Sequence, residues 1–117
     1  ASARHLKERL DEHFAANLGV IISDSVGRAW RNGTVGIALG AAGLPSLQDF
    51  IGRTDLRGRA LQVTQTGFAD ELASAASLLM GQADEQLPAV IISGLAWDAP
   101  NANARSLIRP KEEDLFR

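Results

Sequence analysis

Residues 20–33, VIISDSVGRAWRNG, hold the chain's most informative combination of side chains. An apolar strand delivers a carboxylate, Asp24, and a hydroxyl, Ser25, into a predicted loop with two arginines and two glycines. Adjacent oxygen ligands at a strand end suit Mg²⁺ or Mn²⁺, which complete their coordination with water and phosphate oxygens. The planar guanidinium groups of Arg28 and Arg31 can then clamp phosphates. The segment therefore predicts a site for anions and a hard cation.

Each of these residues also has an ordinary structural interpretation. Asp24 can cap a turn through its own backbone, and Asn32 with Gly33 is a typical turn pair. The alternative for Asn32 is to join the two arginines around an anion in a glycine-flanked loop. Trp30, between the arginines, is predicted to be a packing anchor rather than a stacking platform, with its indole N–H needing a partner if buried.

Composition places the chain among globular proteins of one domain. Its 117 residues are 45% hydrophobic and 22% charged, with a formal net charge of −2. The arginines are spread along the chain, so no nucleic-acid partner is expected. The absence of cysteine excludes disulfides, thiolate nucleophiles and Cys-based metal centres. With neither an apolar run of about 18 residues nor a signal peptide, no membrane partner is expected, and the predicted localisation is cytoplasmic.

The first predicted element is an amphipathic helix over residues 2–16, with Ser2 as its N-cap. Its charged face is expected to see solvent, and Asn17 and Gly19 are expected to end it. Its apolar residues recur every four positions: Leu6, Leu10 and Phe14.

The middle of the chain predicts short strands. Residues 20–23 form a buried strand, and residues 34–42 form a strand whose glycines permit close approach, with a small-residue helix as the competing interpretation. Residues 46–50 fit either a helical turn or a short strand. The connection 52–59 and the alternating residues 60–67 suggest a hairpin.

A second helix is predicted over residues 68–80, with Asp70 and Glu71 in its first turn and Gly81 after its end. Residues 88–93 are predicted to be a buried strand, which implies a right-handed parallel crossover. The residues predicted to share the helix's apolar face are Phe68, Leu72, Ala75, Ala76 and Leu79.

These elements predict an α+β fold with a mixed sheet of short strands packed against two main amphipathic helices. Residues 1–95 form the predicted domain. Residues 96–117 form a C-terminal extension or linker, with a short final helix after Pro110.

Other polar groups are assigned structural roles. Asp70 and Glu71 can be paired carboxylates for acid–base chemistry, but stabilisation of the helix start is the preferred interpretation. Asp55 is expected to form a surface ion pair with a neighbouring arginine, and His5 and His13 are read as surface or packing residues. Neither a Ser-His-Asp set nor a phosphate-binding glycine motif occurs, so the catalytic residues remain unknown.

Residues 81–85, GQADE, form a further candidate site directly after the second helix. A helix C-terminus repels phosphate, so nucleotide contacts there must come from side chains, loop backbone or a bridging cation. For Asp84 and Glu85, an acidic loop facing water is the equally supported alternative.

Three blocks carry a family resemblance: SDSVGRAWRNGTVGIALGAAGL, GRTDLRGR and FADELASAASLLMGQADE. In this order and spacing, residues 17–94 resemble the C-terminal part of the coenzyme F420-0:L-glutamate ligase family, with its two-part gamma-glutamyl ligase fold. Such enzymes add L-glutamate, as a gamma-linked tail, to the phospholactyl end of coenzyme F420-0 at the expense of GTP.

The resemblance implies a metal- and nucleotide-binding site in this chain. Its implied ligands for Mg²⁺ or Mn²⁺ are Asp24, Ser25 in place of the usual threonine, and Gln82 in place of a frequent glutamate; K⁺ is a further candidate ion. The residues implied to bind GTP or its phosphates are Arg28, Arg31, Asn32, Met80, Gly81, Gln82, Ala83 and Asp84.

The resemblance also bears on the state of the chain. A glycine-rich nucleotide segment and an Asp-x-x-Asn stretch lie upstream in the family and are missing here, which implies a chain that is inactive alone. It is either a piece of a larger ligase or one side of a site that another chain completes. A homodimer is expected, with residues 37–44 facing the partner. Residues 108–117 resemble the junction to an FMN-binding nitroreductase-like domain, and the one-domain and fused forms both stay open. The alternative functions are a non-catalytic anion-binding or oligomerisation module with the same fold, and a hydrolase.

Overall fold

The computed structural model describes residues 1–84 and 86–116. Its regular structure comprises two α-helices and two antiparallel strand pairs, which confirms the α+β class. Between the helices lie a long hairpin and a small one, and two short 3-10 helices follow in the C-terminal part. No helix of this described part is both long and apolar enough to cross a membrane.

Helix α1 (Ser2–Phe14) starts and ends differently from the prediction. Ala1 is the N-cap and Ser2 lies inside the helix, so the predicted serine cap is wrong. The helix ends at Ala15, which adopts the left-handed conformation with φ 47°, rather than at Asn17 or Gly19. The chain can turn this early because the Asp11 carboxylate accepts the backbone N–H of Leu18 at 2.8 Å.

The face that α1 packs against the protein is not its apolar stripe. Ala3 is its buried residue, and the side chains of Lys7 and Asp11 are only 18% and 26% exposed. By contrast, Leu6 and Phe14 are 43% and 64% exposed. The expectation that the charged face lies in solvent is therefore wrong for these two charged residues, which bind each other and the following loop.

The long hairpin consists of β1 (Val20–Arg28) and β2 (Arg31–Ala42). They pair antiparallel from Val20↔Ala42 to Arg28↔Arg31. The predicted strand at residues 20–23 and the predicted loop after it are thus one continuous strand, because pairs such as Val26↔Val35 extend the ladder through the polar segment. The strand interpretation of residues 34–42 is confirmed.

A β-bulge interrupts this ladder near its middle. Ile22 pairs with Gly40 and Ser23 with Ala38, which leaves Leu39 as the extra residue of β2. The backbone N–H of Ala38 donates to the Asp70 carboxylate at 2.9 Å. The bulge therefore frees a backbone group that ties the hairpin to the second helix.

Helix α2 (Phe68–Met80) has the predicted bounds and is followed by Gly81 at φ 74°. Its buried residues are Phe68, Ala69 and Ala73, whereas Ala75 and Leu79 of the predicted apolar face are exposed. The difference arises because α2 approaches β2 very closely: a Cβ on Gly36 would lie 2.5 Å from the Ala73 carbonyl oxygen. Only small residues fit along such a contact.

The small hairpin pairs β3 (Gln48–Asp49) with β4 (Gln65–Thr66), so a predicted hairpin is present with much shorter strands. Backbone hydrogen bonds such as Phe50 N–H to Thr64 O (2.9 Å) continue its pairing irregularly. Polar and glycine-rich composition limits the regular ladder to two residues on each side.

The core lies where β2, the start of α2 and the C-terminal segment meet. Its buried cluster is Ala38, Ala41, Leu44, Phe68 and Ala69. Ala104 and Leu107, in the 3-10 helix Ala104–Leu107, pack against this cluster. The second 3-10 helix, Lys111–Glu113, lies where a short final helix was predicted.

The predicted strand at residues 88–93 is wrong, and the parallel crossover that depended on it is wrong with it. These residues have no regular secondary structure, and Ile91 is 93% exposed. Their apolar, β-branched composition favours a strand, but a strand also needs a hydrogen-bonding neighbour. No described strand provides one.

Candidate functional site

Asp24 and Ser25 lie within the ladder of β1, opposite Ile37 and Gly36 respectively. Since consecutive strand residues point to opposite faces, their side chains diverge. Ser25 shares the face of Gly36, which packs on α2, and Asp24 lies on the other face. Asp24 is exposed, and its Oδ1 accepts the N–H of Ser25 at 2.7 Å, which leaves Oδ2 for a ligand.

The two site arginines occupy the turn of the long hairpin. Arg28 and Arg31 are the last pair of the ladder, on either side of the turn residues Ala29 and Trp30. Arg28 Nη2 donates to the Asn32 carbonyl oxygen at 3.2 Å, which holds its side chain across the turn. Both arginines are exposed and, within residues 1–84 and 86–116, neither forms an ion pair. Their charge is therefore available to an anion.

Trp30 corrects a prediction. It is 92% exposed at the turn, not a packing anchor, and its φ is 62°. An apolar run before the segment, residues 20–22, and alternating apolar residues after it, residues 35–39, contained a signal for this position, because two strands so placed indicate a hairpin whose tip falls between the arginines.

The residues after α2 lie towards the same end of the molecule as the hairpin turn. Asp70 binds the backbone of Ala38, and one turn later Ser74 Oγ donates to the Gly36 carbonyl oxygen at 2.7 Å. The helix thus runs antiparallel to β2, towards its beginning at Arg31. The predicted nucleotide-binding residues at this helix end are Met80, Gly81, Gln82, Ala83 and Asp84, while Glu85 lies outside the described residues.

The donor set fits a divalent metal only in part. Asp24 offers one free carboxylate oxygen, whereas Ser25 points to the opposite face of the strand. Among the described residues, no group of three or more histidine, aspartate or glutamate side chains could hold a metal. Mg²⁺ retains several waters and binds phosphate oxygens, so Asp24 suits it as one ligand of an otherwise external shell.

The remaining candidates have structural roles. Asp70 ties α2 to β2, as described, which supports its assignment as a structural carboxylate. Asp55 accepts the backbone N–H groups of Arg57 and Arg59 at 2.8 and 2.9 Å, so it caps a loop, and the expected ion pair with its neighbours is wrong. Arg53 instead pairs with Asp98 at 2.8 Å.

His5 and His13 are exposed on α1, as predicted. They border a shallow groove on the outer surface of that helix. A second cleft lies between β3 and Asp98, Ala99 and Pro100. Neither of these two concave regions includes a predicted site residue, and Asp24, Arg28 and Arg31 are exposed.

Comparison with known proteins identifies the family. The sequence model described as F420-0:Gamma-glutamyl ligase matches residues 1–94. A coenzyme F420:L-glutamate ligase of Methanocaldococcus jannaschii is 50% identical over 116 residues, 99% of this chain and 47% of the relative. Those of Methanothermobacter thermautotrophicus and Methanopyrus kandleri are both 49% identical, over 99% of this chain and 47% and 48% of their own lengths. The chain thus spans about half the length of these curated relatives, and it belongs to the F420-0:gamma-glutamyl ligase family.

Proposed function

We propose that this chain is part of a ligase that uses GTP and Mg²⁺ or Mn²⁺ to add L-glutamate, through a gamma-linked tail, to coenzyme F420-0. The observation that carries the proposal is the 50% identity to the Methanocaldococcus jannaschii coenzyme F420:L-glutamate ligase over 99% of this chain. Because the chain matches only 47% of that relative, the reaction is proposed for an assembly that includes it.

The chemistry divides into two steps. A carboxylate oxygen of the phospholactyl group attacks the γ-phosphorus of GTP, which gives an acyl phosphate and releases GDP. The glutamate amine then attacks the acyl carbon, so that an amide bond forms and inorganic phosphate leaves. Phosphoryl transfer depends on positioning and charge neutralisation, which guanidinium groups provide. Arg28 and Arg31, exposed and directly opposite each other, are suited to bind the transferred group.

The helix end supplies the second part of the proposed site. The carbonyl end of α2 disfavours phosphate, so Gln82 and Asp84 would act through side chains or through a bridging cation. Gln82 offers a neutral amide oxygen, a weaker metal ligand than a carboxylate. Asp24 would supply the charged ligand, and its engagement of only one oxygen within the strand supports that role.

The test is a calorimetric titration of this polypeptide with GTP, first with a chelator and then with Mn²⁺. We expect GTP to bind only when Mn²⁺ is present, because the metal joins the carboxylate to the phosphates. Asp24→Ala should weaken binding by roughly tenfold or more. Glu8→Ala is the matched control, since Glu8 is a 66% exposed carboxylate on α1 that lies outside the proposed site.

Equal affinity for GTP with and without the metal would refute the metal role, as would unchanged binding by Asp24→Ala. Ligation itself is measured by mass spectrometry of F420-0 incubated with L-glutamate, GTP and the complete assembly. A product one glutamyl residue heavier is expected, with one GDP formed for each amide bond. Release of phosphate without L-glutamate would indicate a hydrolase instead.

The second candidate function is a non-catalytic anion-binding or oligomerisation module with the same fold. The partial donor set favours it, because the described residues include no group of three or more histidine, aspartate or glutamate side chains that could hold a metal. Such a module would bind GTP and inorganic tripolyphosphate equally and without metal dependence. The same titration therefore separates the two functions.

A further inference from the structure

Trp30 has a left-handed backbone conformation and an almost fully exposed side chain, both of which are unfavourable for a tryptophan. Its φ of 62° lies in the left-handed region, where glycine and asparagine are common and bulky residues are rare. It is also 92% exposed, so burial does not compensate for this conformation. The other tryptophan, Trp97, contrasts with it, being 39% exposed and packed edge-on against Phe68 with 5.7 Å between ring centroids. A strained residue without a packing role points to a binding role.

The surroundings of Trp30 indicate what would bind. Arg28 and Arg31 close the ladder on either side of the turn that holds Trp30, so both arginines lie next to this residue along the hairpin tip. The hydrogen bond from Arg28 to the Asn32 carbonyl oxygen fixes one of them across the turn. Exposed aromatic faces stack on planar heterocycles, and guanidinium groups bind phosphate. The tip therefore offers both contacts that a phosphate-bearing heterocycle requires.

We infer that Trp30 is a stacking platform for the planar ring of a phosphate-bearing heteroaromatic ligand, whose phosphate is bound by Arg28 and Arg31. The identity of the ligand rests on the proposed function, which offers two sources of this chemistry: the guanine of GTP and the deazaflavin of coenzyme F420-0. Trp30 contributes affinity for the ring, a role distinct from the metal role proposed for Asp24.

The sequence allows a direct optical test, since it contains two tryptophans. Trp97→Phe leaves Trp30 as the sole tryptophan and keeps an aromatic ring against Phe68. Its fluorescence is followed while GTP, F420-0 or inorganic tripolyphosphate is added, and circular dichroism checks that the fold is retained. Saturable quenching is expected from the ring-bearing ligand that occupies the site, and none from tripolyphosphate. The quenching ligand identifies the source of the ring.

Substitutions at position 30 separate stacking from general apolar contact. Trp30→Ala should weaken binding of the quenching ligand by about tenfold, while Trp30→Phe should stay within about threefold of wild type. Trp30→Leu keeps apolar volume without a π-face and should behave like Trp30→Ala. Affinities are measured by calorimetry, which does not depend on the fluorophore.

Three outcomes overturn the inference. Quenching by neither GTP nor F420-0 rules out a ring at this position, and unchanged affinity of Trp30→Ala rules out a contribution from the indole. A shift of Trp30→Leu towards smaller species in sedimentation, with ligand affinity intact, would make Trp30 a contact between copies. Failure of the proposed function gives a different result: no glutamate is added by wild type, while quenching of Trp30 is unaffected.

Discussion

Asp11 joins the end of α1 to the segment that follows it. The hydrogen bond from Lys7 Nζ, together with that from the Leu18 N–H, holds the pKa of the Asp11 carboxyl below its ordinary value of 3.8. A pKa lowered by folding means that the charged form stabilises the native state. That contribution is complete above the ordinary pKa and is lost as the pH falls through the lowered one.

We therefore expect the free energy of unfolding to decrease below about pH 4 in wild type, and Asp11→Asn to remove part of this decrease while lowering stability at neutral pH. Urea denaturation at a series of pH values measures both effects. Glu8→Gln is the matched control, because its ion pair with Arg4 spans 3.8 Å between largely exposed side chains. Parallel acid profiles for Asp11→Asn and wild type would contradict the assignment.

The site shows at the residue scale what sequence reasoning can and cannot supply. Residue type and family resemblance select Asp24 and Ser25, but strand alternation separates their side chains, and alternation is visible only once the strand is known to continue. The packing role predicted for Trp30 is wrong for the same reason, because the exposure of this side chain depends on where the hairpin turns. The chemical type of a side chain is read from its own position in the sequence, whereas the face of the sheet to which it points depends on the strand register.

At the scale of elements, the sequence predicts an element correctly where all the signals that define it lie within that element. Helix α2 has the predicted bounds because its apolar periodicity, acidic first turn and terminal Gly81 all lie within its own sequence. Residues 88–93 show the opposite case, since their strand-like composition requires a neighbouring strand that the described chain does not provide. The sequence predicts too short a first strand for the long hairpin, because the polar half of that strand resembles a loop until both strands are aligned.

The contact between α2 and β2 gives a sharp test of this packing. A Cβ on Gly36 would lie 2.5 Å from the Ala73 carbonyl oxygen, so Gly36→Ala must push the helix away from the sheet. The expected loss is about 2 kcal/mol of unfolding free energy, typical of overpacking. Gly27→Ala is the control in the partner strand, because nothing lies within 4 Å of its Cβ. Urea denaturation compares the two variants with wild type.

Comparison of Gly36→Ala with Gly27→Ala identifies the cause of any loss of stability. Alanine at Gly27 should change the free energy of unfolding by less than about 1 kcal/mol, because it lowers the backbone entropy of the unfolded chain and its Cβ meets no other atom. Equal losses in both variants would mean that flexibility of the hairpin, rather than its contact with α2, requires glycine. A neutral Gly36→Ala would show that α2 is free to move outward.

The whole molecule exposes many large apolar side chains for its size. Phe14 on α1, Ile91 in the irregular segment and Leu115 near the C-terminus are each more than 60% exposed. Contiguous apolar surface marks sites of association, whereas single exposed apolar residues are ordinary. Residues 88–93 are the strongest case, because β-branched residues without a ladder partner are suited to pair with a strand of another chain.

We therefore expect this polypeptide to self-associate reversibly as its concentration rises, through residues 88–93 rather than through residues 37–44, which the predicted homodimer places at the partner. A lysine at an unpaired strand opposes such pairing, so Ile91→Lys should raise the dissociation constant by about tenfold, the loss expected from one buried isoleucine side chain. Leu56→Lys is the control: Leu56 is fully exposed, but it lies between Asp55 and Arg57 in a charged loop. Sedimentation velocity over a range of concentrations measures both constants.

If both variants weakened association equally, net charge would be the cause. A wild type that stays monomeric at every concentration would show that these apolar side chains make no contact between copies.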